Sequence, residues 1–211
     1  MAILRPFRDY DEKDVINLFS YNATAENLTG SDKWKKPGEL VDITTGWSTD
    51  VDMWDNSGTI GNTYANTVSP RFNNLAKVGA VADAGDWALG MLLHGVQEDD
   101  ENGELLKYNP AKAAELQVVT WGQTVPVVRK GIFLIETAAT LGANAHTALY
   151  ADHDVAGDIV ANTDSDSSGA SGHILAYTLG KSVSRTKTAD DGTTSTVYDT
   201  LIILNCDRMK A

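Results

Sequence analysis

The feature that most limits how this chain can fold is a succession of short apolar runs in its last hundred residues, each ended within a few positions by Gly, Ala, Asp or Ser. Leu116-Gln-Val-Val-Thr-Trp121 is followed by Val125-Pro-Val-Val128 and Gly131-Ile-Phe-Leu-Ile135. Then come Thr147-Ala-Leu-Tyr150, His173-Ile-Leu-Ala-Tyr-Thr-Leu179 and Val197-Tyr-Asp-Thr-Leu-Ile-Ile-Leu204. Strands bounded by turn residues at such intervals are the pattern of an all-β barrel or sandwich. The expected fold is therefore mainly β, a small β-barrel or sandwich with little helix. No catalytic motif is laid over these runs, so the chain reads as one built to present a surface.

The 211 residues fit one sizeable domain, or a domain with an arm. A net charge of −12 argues against unaided nucleic-acid binding, which depends on clustered Lys and Arg. The charge is unevenly placed. Arg5, Arg8, Lys13, Lys33, Lys35 and Lys36 balance Asp9, Asp11, Glu12, Asp14, Glu26 and Asp32, so the residues beyond 37 hold the whole excess. Cys206 is the only cysteine, which excludes an intrachain disulfide and reads as a small buried hydrophobe. No run approaches the roughly 20 apolar residues that span a bilayer. The opening lacks the apolar stretch of a secretory leader, so the Asn22-Ala-Thr24 and Asn27-Leu-Thr29 sequons read as chance matches. The expectation is a soluble protein made in a reducing cytoplasm, with no membrane and no nucleic-acid partner.

Residues 1–36 read as an extended N-terminal arm and linker, and 37–211 as a β-rich body. In the arm, Asp11 to Phe19 has an N-cap residue and apolar Val15, Leu18 and Phe19, which predicts two helical turns. Leu40-Val-Asp-Ile43, Lys77-Val-Gly-Ala-Val-Ala82 and Trp87-Ala-Leu-Gly-Met-Leu-Leu93 are strand candidates. Glu98-Asp-Asp-Glu-Asn-Gly-Glu104 reads as a solvated loop, and Ala111 to Leu116, after Pro110, as a turn or two of helix. Lys181 to Lys187, ahead of Asp190-Asp-Gly192, reads as an exposed hairpin tip. Trp47, Trp54 and Tyr64 are either packed at the rim of a core or interface anchors.

The candidates for chemistry are few. His153 lies in Asp152-His-Asp-Val-Ala-Gly-Asp158, whose spacing matches no metal-ligand motif and whose Gly157 is ordinary turn chemistry. Asp164-Ser-Asp166-Ser-Ser168-Gly169 begins like a calcium loop, but Leu175 stands where a bidentate Glu is needed. No Gly-x-Ser-x-Gly elbow or phosphate loop occurs. The expectation is no catalytic residue, no cofactor and no metal.

The opening Arg5-Pro-Phe-Arg-Asp-Tyr-Asp-Glu-Lys-Asp-Val-Ile-Asn-Leu-Phe19 resembles the N-terminal segment of small virion proteins of tailed, cyanophage-like bacteriophages. Val125-Pro-Val-Val-Arg-Lys-Gly-Ile-Phe133 is similar to a stretch of phage head decoration, or cement, proteins. The resemblance implies a small β-barrel on the outside of an assembled capsid, often a homotrimer, clamping neighbouring capsomers through an extended N-terminal arm. It implies the major capsid protein as partner and the virion surface as location. Leu4, Phe7, Tyr10, Val15, Leu18 and Phe19 would make the arm's contacts. The alternatives are a phage tail, baseplate or fibre-attachment protein, and a carbohydrate-binding or adhesin module using Trp47, Trp54 and Tyr64. An enzyme would need His146, His153 or His173 brought beside a carboxylate and a nucleophile.

Overall fold

A computed structural model describes residues 3–21, 34–45, 77–81, 87–120, 123–152, 154–161, 173–189 and 192–207. In chain order their strands are β1 (Ile3–Asp9), β2 (Val15–Ile16), β3 (Ser20–Tyr21), β4 (Leu40–Thr45) and β5 (Lys77–Ala80). They continue with β6 (Gly90–Leu92), β7 (Gly95–Val96), β8 (Val118–Val119), β9 (Val127–Val128) and β10 (Lys130–Thr137). The last are β11 (Ala148–Ala151), β12 (Ile159–Ala161), β13 (Ala176–Thr178), β14 (Val183–Thr188) and β15 (Thr194–Asn205). One six-residue helix, α1 (Pro110–Glu115), sits where it was expected. Pro110 occupies its first turn and the Asn109 side chain caps it by accepting from the Lys112 N–H at 3.3 Å.

The strands form two open sheets and a two-stranded pair, so the sandwich form of the expectation holds and no sheet closes into a barrel. The front sheet runs β1-β10-β15-β13-β11-β12, with β14 also paired to β15, and all its pairings are antiparallel. The back sheet runs β2-β9-β6-β4-β5-β3 and is antiparallel except for β3 on β5. The parallel pair β7–β8 lies apart from both.

Period-two alternation decides which residues fill the space between the sheets. Phe133, Ile135, Leu149, Ala151, Ile159, Ala176, Ile202 and Leu204 of the front sheet join Leu40, Met91 and Val128 of the back sheet in one core. The alternate residues of the back sheet, Val41, Val78, Leu92 and Val127, form a second core with Phe19, Tyr21, Val96 and Val125. The back sheet is thus covered on both sides. At the start of β10, Gly131 has φ +146°, and a Cβ there would stand 2.6 Å from the Asp9 carbonyl and 2.8 Å from the Phe133 ring. Only glycine lets β1 and that ring approach the backbone so closely.

The N-terminal segment is extended, and it is laced into the body. β1 is an edge of the front sheet, β2 pairs with β9 and β3 pairs with β5. Lys35 bridges to Val96, so hydrogen bonding crosses the expected 36/37 boundary. The two helical turns expected over Asp11–Phe19 are a single 3-10 turn, Glu12–Asp14, followed by β2. Asp11 does cap it, accepting from the Lys13 N–H at 3.1 Å. The β-branched pair Val15-Ile16 then finds a partner strand in Val127-Val128, and tertiary pairing overrides a helix too short to stand alone.

Candidate interaction surface

Two apolar runs of the sequence lie side by side in the middle of the front sheet. Gly131-Ile-Phe-Leu-Ile135 is on β10 and Leu201-Ile-Ile-Leu204 is on β15, with Ile132 opposite Ile203, Phe133 opposite Ile202 and Leu134 opposite Leu201. Phe133, Ile135, Ile202 and Leu204 face the core and are at most 1% exposed. The residues between them point the other way. Ile203 is 40% exposed, and Ile132, Leu134 and Leu201 are half-buried. Tyr177 of β13 pairs with Ile203 and extends the row, and the exposed Leu179 is hydrogen-bonded to Leu201 through its N–H at 2.8 Å. An antiparallel sheet open to water on one side ordinarily alternates apolar with polar residues. Here both alternating sets are apolar, and the described residues cover only one of them.

Towards the β14–β15 hairpin the same sheet carries charge instead. Glu136 pairs with Asp199 across β10 and β15, and Glu136 is 3% exposed. Arg185 and Lys187 of β14 and Arg5 of β1 converge on its carboxylate: Arg185 Nη2 donates to it, Lys187 Nζ stands at 2.8 Å and Arg5 Nη1 at 3.3 Å. Arg185 Nε also donates to Asp199 at 2.8 Å. Burial pushes the Glu136 carboxyl upward, but the hydrogen bond from Lys187 and the charges of Lys187, Arg185 and Arg5 outweigh it and hold the group below the usual carboxylate range. The three cations exceed the two carboxylates by one. This end of the face is therefore the less acidic part of a strongly acidic chain.

Of the six residues expected to make an arm's contacts, the fold uses three elsewhere. Leu4 is 5% and Phe19 7% exposed, each inside a core, and Val15 packs half-buried against the first core. Phe7, Tyr10 and Leu18 remain exposed. Tyr10 stacks on Phe133 with ring centres 6.0 Å apart. Arg8, between them in the chain, fastens the segment down by donating to the Leu93 carbonyl at 3.0 Å and the Gln117 Oε1 at 3.2 Å.

Among the described residues, the histidines stand in separate settings. His94 is half-buried, and burial and the Arg8 charge lower its pKa. His146 stands in a turn at φ +64° with its N–H on the Thr178 carbonyl. His173 leans on Trp87, ring centres 4.8 Å apart. Among the described residues no group of three His, Cys, Asp or Glu is placed to hold a metal. Asp152 accepts from the Asp154 N–H at 2.9 Å, the turn chemistry expected there. His153, Asp164, Asp166, Trp47, Trp54 and Tyr64 lie outside the described residues.

Trp87, Ala88, His173, Ile174, Leu175, Asn205 and Cys206 line a cavity of about 190 Å³. The Cys206 thiol is buried there and pushed up to about 12, so it stays protonated and unreactive. The acidic stretch 98–104 is less solvated than expected. Asp100 is 3% exposed, accepts from the N–H groups of Asn102 and Glu104 at 2.8 Å, and is bound by Lys112. The Lys112 hydrogen bond, with those N–H groups, holds its carboxyl at about 2.

No family model, curated protein or solved structure matches this chain.

Proposed function

We propose that this is a non-enzymatic assembly protein, a β-sandwich that docks through the outer side of its front sheet. Within that class we propose a capsid decoration protein that binds the outside of an assembled phage shell and stabilises it. One observation supports the first step above all: Ile132, Leu134, Leu201 and Ile203 form a paired apolar row that the described chain leaves half-open. Full burial of such a side chain is worth about 1.5–3 kcal/mol, and covering the part of each that is still exposed recovers a fraction of it, a drive towards a partner surface. The second step rests on the resemblance of Arg5–Phe19 and Val125–Phe133 to phage virion proteins. Phe7, Tyr10 and Leu18 add exposed apolar anchors along the N-terminal segment. The partner in this reading is the major capsid protein, and a homotrimer would strengthen a modest affinity per contact through multivalency.

Co-sedimentation with shells that lack the protein tests this reading. Saturable attachment at a fixed ratio to the major capsid protein is the expected result, and it should persist in high salt because apolar contact dominates. No attachment at either salt concentration would refute the decoration role.

A further inference from the structure

Glu39 is the least expected residue in the interior. It immediately precedes β4 and is 0% exposed, the only carboxylate of the described chain shut off so completely. Its Oε1 accepts from the Tyr21 hydroxyl, and its Oε2 has no hydrogen-bond partner among the described residues. Three separate segments close around it. Tyr21 belongs to β3, the two-residue edge strand of the back sheet. Lys35 lies with its ammonium 5.7 Å from the centre of the Tyr21 ring. From the turn between β11 and β12, Gly157 presses its backbone on the side chain; a Cβ there would be 2.5 Å from Glu39 Cγ. That turn is fixed by Gly157 N–H on the Val81 carbonyl at 2.9 Å and Leu40 N–H on the Gly157 carbonyl at 2.8 Å.

We infer that Glu39 is a proton-operated latch on the N-terminal segment: neutral, it holds β3 in the back sheet, and ionised, it lets β3 go. An unpaired oxygen tolerates a neutral carboxyl far better than a carboxylate, since a buried charge without compensation costs several kcal/mol. The charged groups around it pull in opposite directions. Lys35 favours ionisation, Asp158 beside Gly157 opposes it, and Tyr21 favours it through its hydrogen bond. Burial outweighs these, so the Glu39 carboxyl titrates above its ordinary range. The part that yields is β3, the shortest of the strands at this site: two residues pair it with β5, and on its other side it has the single Ser20–Thr124 bridge and the Val125 N–H on the Phe19 carbonyl at 2.9 Å. Its release would uncover Phe19 and Tyr21 beside the already exposed Leu18. This inference does not depend on what the front sheet binds.

The sign is fixed by linkage. A carboxyl with a raised folded-state pKa favours the closed form fully below its ordinary pKa near 4.5, and that contribution is lost as pH rises through the folded value. Amide hydrogen exchange read as protection factors tests the latch, with β15 amides as an internal reference. Protection in β3 and β5 should fall about tenfold per pH unit above pH 4.5 until Glu39 is ionised, and should lie below that of β15 throughout, because β3 opens without the front sheet. Glu39→Gln should abolish that slope. Tyr21→Phe, which removes a bond favouring the carboxylate in the closed form, should leave the onset in place and carry the fall on to higher pH, and serves if Glu39→Gln folds poorly. A wild-type β3 with flat protection, the same slope in Glu39→Gln, or a fall in Tyr21→Phe that ends at the same pH as in wild type would overturn the latch.

Discussion

In the back sheet, Leu40, Met91 and Val128 face one core while Val41, Leu92 and Val127 face another, and all six are at most 1% exposed. In the front sheet, Ile202 and Leu204 are as deeply buried, but their chain neighbour Ile203 is 40% exposed over a row of half-buried Ile132, Leu134 and Leu201. Both sheets carry short apolar runs at these positions. The back sheet buries these six side chains, with Ile43 of β4 left 42% exposed at one end, whereas the front sheet leaves a paired row of four apolar side chains part-open where stability does not require them. The two buried glutamates repeat the contrast. Glu136 of the front sheet is gripped by three cations, and Glu39, just before β4, accepts a hydrogen bond from a single hydroxyl among the described residues.

The comparison breaks most violently if the N-terminal segment is removed. Deleting residues 1–21 strips β1 from the front sheet, β2 and β3 from the back sheet, and Leu4, Phe19 and Tyr21 from the two cores. We expect loss of cooperative unfolding by calorimetry; a folded, merely binding-deficient product would restore the picture of a separable arm. Single core truncations come next. Leu92→Ala in the back sheet and Ile202→Ala in the front sheet should each cost about 2–5 kcal/mol by urea unfolding. Ile203→Ala, one residue further on, should cost under about 1 kcal/mol, because its side chain is half in water already.

Glu136→Gln sharpens the comparison from the charged end of the front sheet. It leaves Arg5, Arg185 and Lys187 without their shared carboxylate, at a cost of about 1–3 kcal/mol, discounted because all three cations are partly exposed. The pH dependence has the opposite sign to that of Glu39. The Glu136 pKa is depressed, so its contribution is complete above the ordinary value near 4.5 and is lost as pH falls through the folded one. Urea midpoints of wild type and Glu136→Gln should therefore converge as pH falls below the ordinary carboxylate value.

Most of the front sheet was legible because Gly131–Ile135 and Leu201–Leu204 are unbroken apolar runs between turn residues. The β14–β15 hairpin was legible from the Asp-Gly step of the sequence, and Gly192 has a positive φ of +82°. The strands of residues 3–21 were not. Their apolar residues are dispersed among charges, and Val15-Ile16 becomes a strand only because Val127-Val128 lies beside it. Glu39 gave no signal at all: a glutamate before a β run reads as a polar boundary, and its burial follows from Gly157, more than a hundred residues away. The exposed row was half-visible. The sequence shows that both faces of two strands are apolar, but not that one of them is left open.

The account stands or falls on that open row. Its most direct test is attachment of the Leu134→Ser/Ile203→Ser variant to shells lacking the protein, measured by co-sedimentation beside wild type. Near-native unfolding with at least a tenfold loss of attachment is the predicted result. A variant that unfolds as wild type does and attaches as tightly would place the docking surface elsewhere and contradict the account.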